Sequence, residues 1–240
     1  MDMGKSWSPQ MLARWIGILV LISLVAGGFG EGFVPSRMLV AGDAGATAHT
    51  IVAFQSLFRL GYASYVIEGL CDAALTALLY LLLRPAGREL ALIALLVRVV
   101  ATAAFAVAES WYFAALPILN GAAQLKGFSP GELNALALLC LKLYNSGGVV
   151  PTLFYGVGWI LLGRLTFVSG YLPKWLGIMM ALAGFSFVAG MVIIIVTPDY
   201  SSEFFLFPML LAMLVLALWL LVRGVDARGW AERTAVAGVS

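Results

Sequence analysis

Hydrophobic residues run along this chain in stretches too long for strands and too unbroken for the helices of a water-soluble domain. About 20 residues at a 1.5 Å rise cross a hydrocarbon core of about 30 Å, so apolar runs of about 18 or more predict membrane-spanning helices. Six are predicted, at residues 11–29, 58–83, 89–114, 149–167, 175–197 and 204–222. Polar and turn-forming residues punctuate them, among them Arg84 with Pro85 and Gly87, Gly170 with Pro173, and Thr197 with Pro198 and Asp199. The more polar stretches 30–50 and 116–131 are expected to be external loops.

One loop carries a helix-start signal. Ser129 and Glu132 have the spacing of a capping box, with Pro130 at the first helical position. An external amphipathic helix over about 130–144 follows from it. Asn145, Gly147, Gly148 and Pro151 then interrupt the pattern before the fourth span. Residues 130–167 are too many for one perpendicular span, so a helix that starts outside and kinks or breaks near the outer interface is expected.

Composition agrees with the pattern. Hydrophobic residues make up 62% of the 240 and charged residues 11%, against about 25% charged in a soluble domain. The fold class is therefore all-α, a six-helix transmembrane bundle forming one integral membrane domain over 1–240. Lysine and arginine set the orientation. With the N-terminus inside, Lys5, Arg14, Arg84, Arg88, Arg164, Lys174, Arg223, Arg228 and Arg233 fall on the cytoplasmic side, leaving Arg37 and Lys126 in the outer loops. Both termini are then cytoplasmic, and a multi-pass protein of the cell's inner membrane is expected. The first span has no good cleavage site after it and reads as an uncleaved helix.

Several chemistries lose their support at this stage. The net charge of +2 and the lack of a dense basic tract give no footprint for nucleic acid. His49 is the only histidine, and Cys71 and Cys140 both fall in apolar runs, so neither a metal site nor a disulfide framework is expected. No phosphate loop, dinucleotide fingerprint or Ser-His-Asp set calls for a cofactor.

The ordered motifs resemble a known family. Gly42-Asp43-Ala44, Ala46-Thr47-Ala48, Leu57-Phe58-Arg59-Leu60-Gly61 and Cys71-Asp72-Ala73-Ala74-Leu75 come first, leading to Leu82-Leu83-Arg84-Pro85. Leu161-Leu162-Gly163 and Ser169-Gly170-Tyr171-Leu172-Pro173-Lys174-Trp175-Leu176-Gly177 follow. Together they are similar to the bacterial membrane family called domain of unknown function 4386, over nearly the whole chain. The resemblance implies a six-span membrane protein and brings no activity. Tyr65 stands where that family often has an acidic residue, its Asp-x-His pair near Lys142 and Tyr144 is missing, and Glu68 is an addition.

What remains is a set of charges inside apolar runs. Asp72 lies twelve residues before Arg84, about 18 Å deep, and Arg98 ten residues after Arg88, about 15 Å deep. The short connection makes their helices antiparallel neighbours, so an Asp72–Arg98 ion pair at equal depth is expected. Glu68 is one turn from Asp72, on the same face of its helix. Arg59, Glu109, Lys142 and Asn145 fall nearer the outer interface, and with Glu68, Asp72 and Arg98 they make up the candidate binding cluster. Tyr62, Tyr65, Trp111, Tyr112 and Tyr144 either rim a pocket there or form an interface belt. A weaker echo joins Arg14-Trp15-Ile16-Gly17-Ile18 to Lys174-Trp175-Leu176-Gly177-Ile178.

Three functions fit such an interior. The first is binding or transport of a small amphiphile, lipid or ion, with the bilayer as the other partner. The second is a metal-free membrane enzyme acting on a lipid or terpenoid, with Glu68 or Asp72 as acid. The third is a scaffold or accessory subunit whose charges serve assembly.

Overall fold

The chain folds into helices joined by short turns, and no strand occurs among the described residues. The computed structural model describes residues 7–197 and 203–238, so Lys5 and the expected turn at Pro198 and Asp199 lie outside it. Five helical runs are long and apolar enough to cross a membrane, Pro9–Met38, Gln55–Ala86, Arg88–Leu119, Pro130–Ser169 and Lys174–Val196. A sixth is reached when Leu206–Val222 and Ala227–Val236 are taken together across a 99° bend.

Expected boundaries and observed helices agree within a few residues for most spans. Helix α1 (Pro9–Gly27) passes through a π-helical turn at Gly28–Phe33 into α2 (Val34–Met38), and α3 follows at Ala44–Ala53. The expected external loop over 30–50 is therefore mostly helical. Its glycines and Pro35 read as loop punctuation, yet the helical run continues through them, and the Gly30 carbonyl, which Pro35 has no N–H to serve, accepts from Tyr65 Oη. Asp43 caps α3 by accepting from the Ala46 N–H at 2.8 Å. Helices α4 (Gln55–Leu83) and α5 (Arg88–Leu119) are joined by a single tight turn at Arg84–Ala86.

The capping box is present at the start of α6 (Pro130–Gly147), with the Ser129 N–H donating to Glu132 at 2.7 Å. Between α6 and α7 (Val149–Ser169) only Gly148 intervenes, and its φ of −73° and ψ of −18° stay right-handed. The fourth helical run thus continues from Pro130 to Ser169 without a break. Helix α8 spans Lys174–Val196, α9 Phe207–Val222 and α10 Ala227–Val236. The last lies outside every expected element, because it is too polar to be read from hydropathy.

Contacts divide the chain into two compact units. Unit 1 comprises residues 1–24, 71–102 and 150–240. Its core includes Leu12, Ile16, Trp159, Leu165, Met180 and Leu216, all buried. Helices α7 and α8 approach closely through two glycine pairs. A Cβ on Gly184 would lie 2.5 Å from the Gly156 carbonyl oxygen, and one on Gly177 would lie 2.5 Å from that of Gly163. The seven-residue spacing on both helices lets the backbones meet twice, as small residues do in membranes. Gly184, in the middle of α8, has its partner on the neighbouring helix.

One end of unit 1 is tied together by side chains that satisfy helix-terminal carbonyls. Tyr171 Oη donates to the Leu82 carbonyl at 2.8 Å, and Trp230 Nε1 donates to the same oxygen at 3.0 Å. Burial pushes the Tyr171 phenol above its ordinary pKa, which keeps it a donor. Arg233 Nη2 donates to Val168 at the end of α7, and Gln10 Nε2 donates to Val225. Gly224, at φ +70°, makes the turn that brings α10 under these ends.

Unit 2 comprises residues 25–70 and 103–149. Val34, Met38, Ile51, Phe58, Tyr65 and Tyr112 are the centre of its core. The π-helical turn packs on α4 where Gly30 faces Gly61, with 3.2 Å from a Cβ on the first to the carbonyl oxygen of the second.

Candidate functional site

Unit 1 holds the buried ion pair. Asp72 and Thr76 stand one turn apart on α4, and Arg98 and Thr102 one turn apart on α5. The pair is 5% and 1% exposed. Arg98 Nη2 donates to Asp72 Oδ1, which also accepts from Tyr155 Oη at 3.3 Å. Thr102 Oγ1 donates to Asp72 Oδ2 at 2.5 Å, and Arg98 Nε donates to Thr76 Oγ1 at 2.9 Å. Tyr155 also lays its ring against the guanidinium, 4.3 Å from centroid to Cζ. Helix α7 makes room for the arginine stem at Gly158, where a Cβ would lie 2.6 Å from Arg98 Cγ. Both carboxylate oxygens are engaged, so this network fixes the register of three helices and leaves Asp72 little capacity for a ligand.

Unit 2 holds the other acids. Glu68 places its carboxyl against the backbone of Gly27, where a Cβ would come within 2.8 Å of Oε1. Glu31 sits in the π-helical turn and is exposed, while Glu109 on α5 is half-buried. These two interact electrostatically with each other, and Glu31 does so with Tyr65 and Tyr144 as well. Neither makes a salt bridge or side-chain hydrogen bond among the described residues.

Beside them stand three tyrosines. Tyr144 Oη donates to Tyr65 Oη at 2.8 Å, and Tyr65 Oη donates to the Gly30 carbonyl at 2.8 Å. The Tyr112 ring lies 5.3 Å from Tyr65 and 5.5 Å from Tyr144, edge-on to both. Its other face stacks on Phe58 at 4.2 Å. The Tyr112 hydroxyl is buried and has no hydrogen-bond partner among the described residues. The aromatics near the outer interface are thus not all a belt: Tyr65 and Tyr112 are core residues, whereas Trp111 is 44% exposed.

The structure brings Asp72 to Arg98 and Glu109 to the tyrosines. Arg59, Lys142 and Asn145 are exposed and make no side-chain hydrogen bond or salt bridge among the described residues, while Glu68 stands one turn before Asp72 on α4. Sequence reading missed Thr76 and Thr102, although each follows its charged residue by four positions. It missed Glu31 because that stretch read as loop. Among the described residues no group of three or more His, Cys, Asp or Glu is placed to hold a metal ion.

Apolar helices of this length and number define a multi-pass membrane protein. The chain belongs to the family described as Domain of unknown function (DUF4386), whose profile matches residues 15–224. No curated protein and no solved structure matches it.

Proposed function

We propose that the protein binds a small cation or cationic amphiphile within the membrane, through Glu31 and Glu109 and the tyrosines beside them in unit 2. The observation that carries this reading is a pair of interacting carboxylates in membrane helices, neither with a cation or hydrogen-bond donor among the described residues. Like charges in a low-dielectric setting repel, and a bound positive charge removes that cost. Tyrosine faces attract ammonium-type cations, and their apolar bodies suit a greasy tail. A π-helical turn at Glu31 supports the same placement, since such turns recur at functional sites. The Asp72–Arg98 network of unit 1 serves structure in this reading, as a scaffold element rather than an acid catalyst.

The lysine and arginine distribution supports a cytoplasmic placement of both termini in the inner membrane, which puts the loops with Arg37 and Lys126 outside. The binding test uses the full chain in detergent with tetraphenylphosphonium as the probe and tetraphenylborate as its anionic isostere. The cation raises the unfolding temperature of the wild type, and Glu31→Gln with Glu109→Gln abolishes the shift. Equal shifts from cation and anion, or an undiminished shift in the double variant, overturn the reading.

A further inference from the structure

The echoed motifs near the starts of α1 and α8 carry exposed side chains that neither the core nor the cation site uses. Their inward halves are packing. Ile16 and Leu176 are fully buried, Gly17 would place a Cβ 3.0 Å from the Ala217 carbonyl of α9, and Gly177 packs on α7. Their outward halves are not. Arg14 and Lys174 are exposed, and Trp15 and Trp175 are each 47% exposed. Helix α9 adds Trp219 and Arg223, one turn apart.

These three helix ends are neighbours. The Trp219 and Trp175 rings meet edge to face at 5.4 Å, joining α9 to α8, and the Gly17 contact joins α1 to α9. One face of unit 1 therefore presents Arg14, Lys174 and Arg223 next to three indoles. Arg14 and Arg223 form no salt bridge among the described residues, and Lys174 Nζ rests 5.6 Å from the Phe167 ring. Apolar residues continue away from the cations along the same helices, with Ile18, Ile178 and Leu218 all exposed.

We propose that this face is a binding site for an anionic phospholipid. The headgroup phosphate lies among the three cations, the indoles sit at the glycerol level and the acyl chains run along the exposed apolar side chains. Indoles favour the membrane interface, and flexible cationic side chains reach the headgroup layer. A lipid with net negative charge gains from each cation, whereas a zwitterionic one carries its own counter-charge.

Native mass spectrometry of the delipidated full chain tests this, with dioleoyl phosphatidylglycerol against dioleoyl phosphatidylcholine. The wild type retains the anionic lipid with about a tenfold preference. Arg14→Gln, Lys174→Gln and Arg223→Gln together bring the ratio near one, while Arg59→Gln with Lys142→Gln, exposed cations of unit 2, leaves it unchanged. Where the triple variant does not fold, the wild-type ratio and the single Arg223→Gln variant, expected to lower it, decide. Equal retention of both lipids, an equal loss in the unit 2 control, or displacement by inorganic phosphate at matched concentration overturns the proposal.

Discussion

Replacing Asp72 by leucine leaves the Arg98 guanidinium buried without its carboxylate, still donating to Thr76 Oγ1. Removing one member of a buried ion pair costs about 3–5 kcal/mol, because the remaining charge stays desolvated. Asp72→Leu belongs in the upper half of that range, since Thr102 and Tyr155 each lose an acceptor as well. Asp72→Asn keeps an oxygen for Arg98 and falls near about 3 kcal/mol. Arg98→Leu leaves a carboxylate that still accepts from Thr102 and Tyr155, and costs a similar amount. The double variant removes both charges, and the hydroxyls left behind can turn to helix carbonyls. Its cost is therefore well below the sum of the singles, with a coupling energy of about 2–3 kcal/mol. Unfolding of each variant in mixed micelles against rising dodecyl sulfate, followed by circular dichroism, measures the cycle. Singles that add within about 0.5 kcal/mol would refute a pair that fixes helix register.

Three further outcomes follow from named contacts. Gly163→Ala and Gly177→Ala drive a Cβ to within 2.6 Å and 2.5 Å of a backbone oxygen, so each lowers stability by about 1–3 kcal/mol in a detergent melt, whereas Gly28→Ala, with open space around it, does not. Tyr65→Phe removes the donor to Gly30 and the acceptor for Tyr144, and costs about 1–3 kcal/mol. Hydrogen exchange then rises over residues 28–33 and stays unchanged in α8. Trp230→Phe takes one donor from the Leu82 carbonyl while Tyr171 keeps the other, so the loss is about 1 kcal/mol or less, with faster proteolysis of residues 227–236.

Much of the fold is legible in the sequence where hydropathy and punctuation agree. Helix α4 ends at Leu83 as expected, because Arg84 and Pro85 follow an unbroken apolar run. The Asp72–Arg98 pair is legible for a different reason: one short turn fixes the helices antiparallel, and rise arithmetic then sets the depths. The helical course through Gly28–Met38 is not legible, since a glycine cluster signals loop as readily as it permits a close π-helical crossing. Helix α10 is hidden because its position depends on donors reaching Leu82 and Val168, which only the packed ends of α4 and α7 present. Tyr155 and Gly158 are hidden likewise, for they meet Arg98 from a third helix whose facing side no periodicity reveals.

Charges in the two units are thus assigned different duties: the buried Asp72–Arg98 pair fixes helices in unit 1, and the proposed ligand of unit 2 is met by the exposed Glu31 and the half-buried Glu109. The most direct measurement is tetraphenylphosphonium binding by two charge-deleted proteins under one set of conditions. Binding is expected to be retained in Asp72→Leu with Arg98→Leu and lost in Glu31→Gln with Glu109→Gln. Binding lost in the first and retained in the second would contradict it.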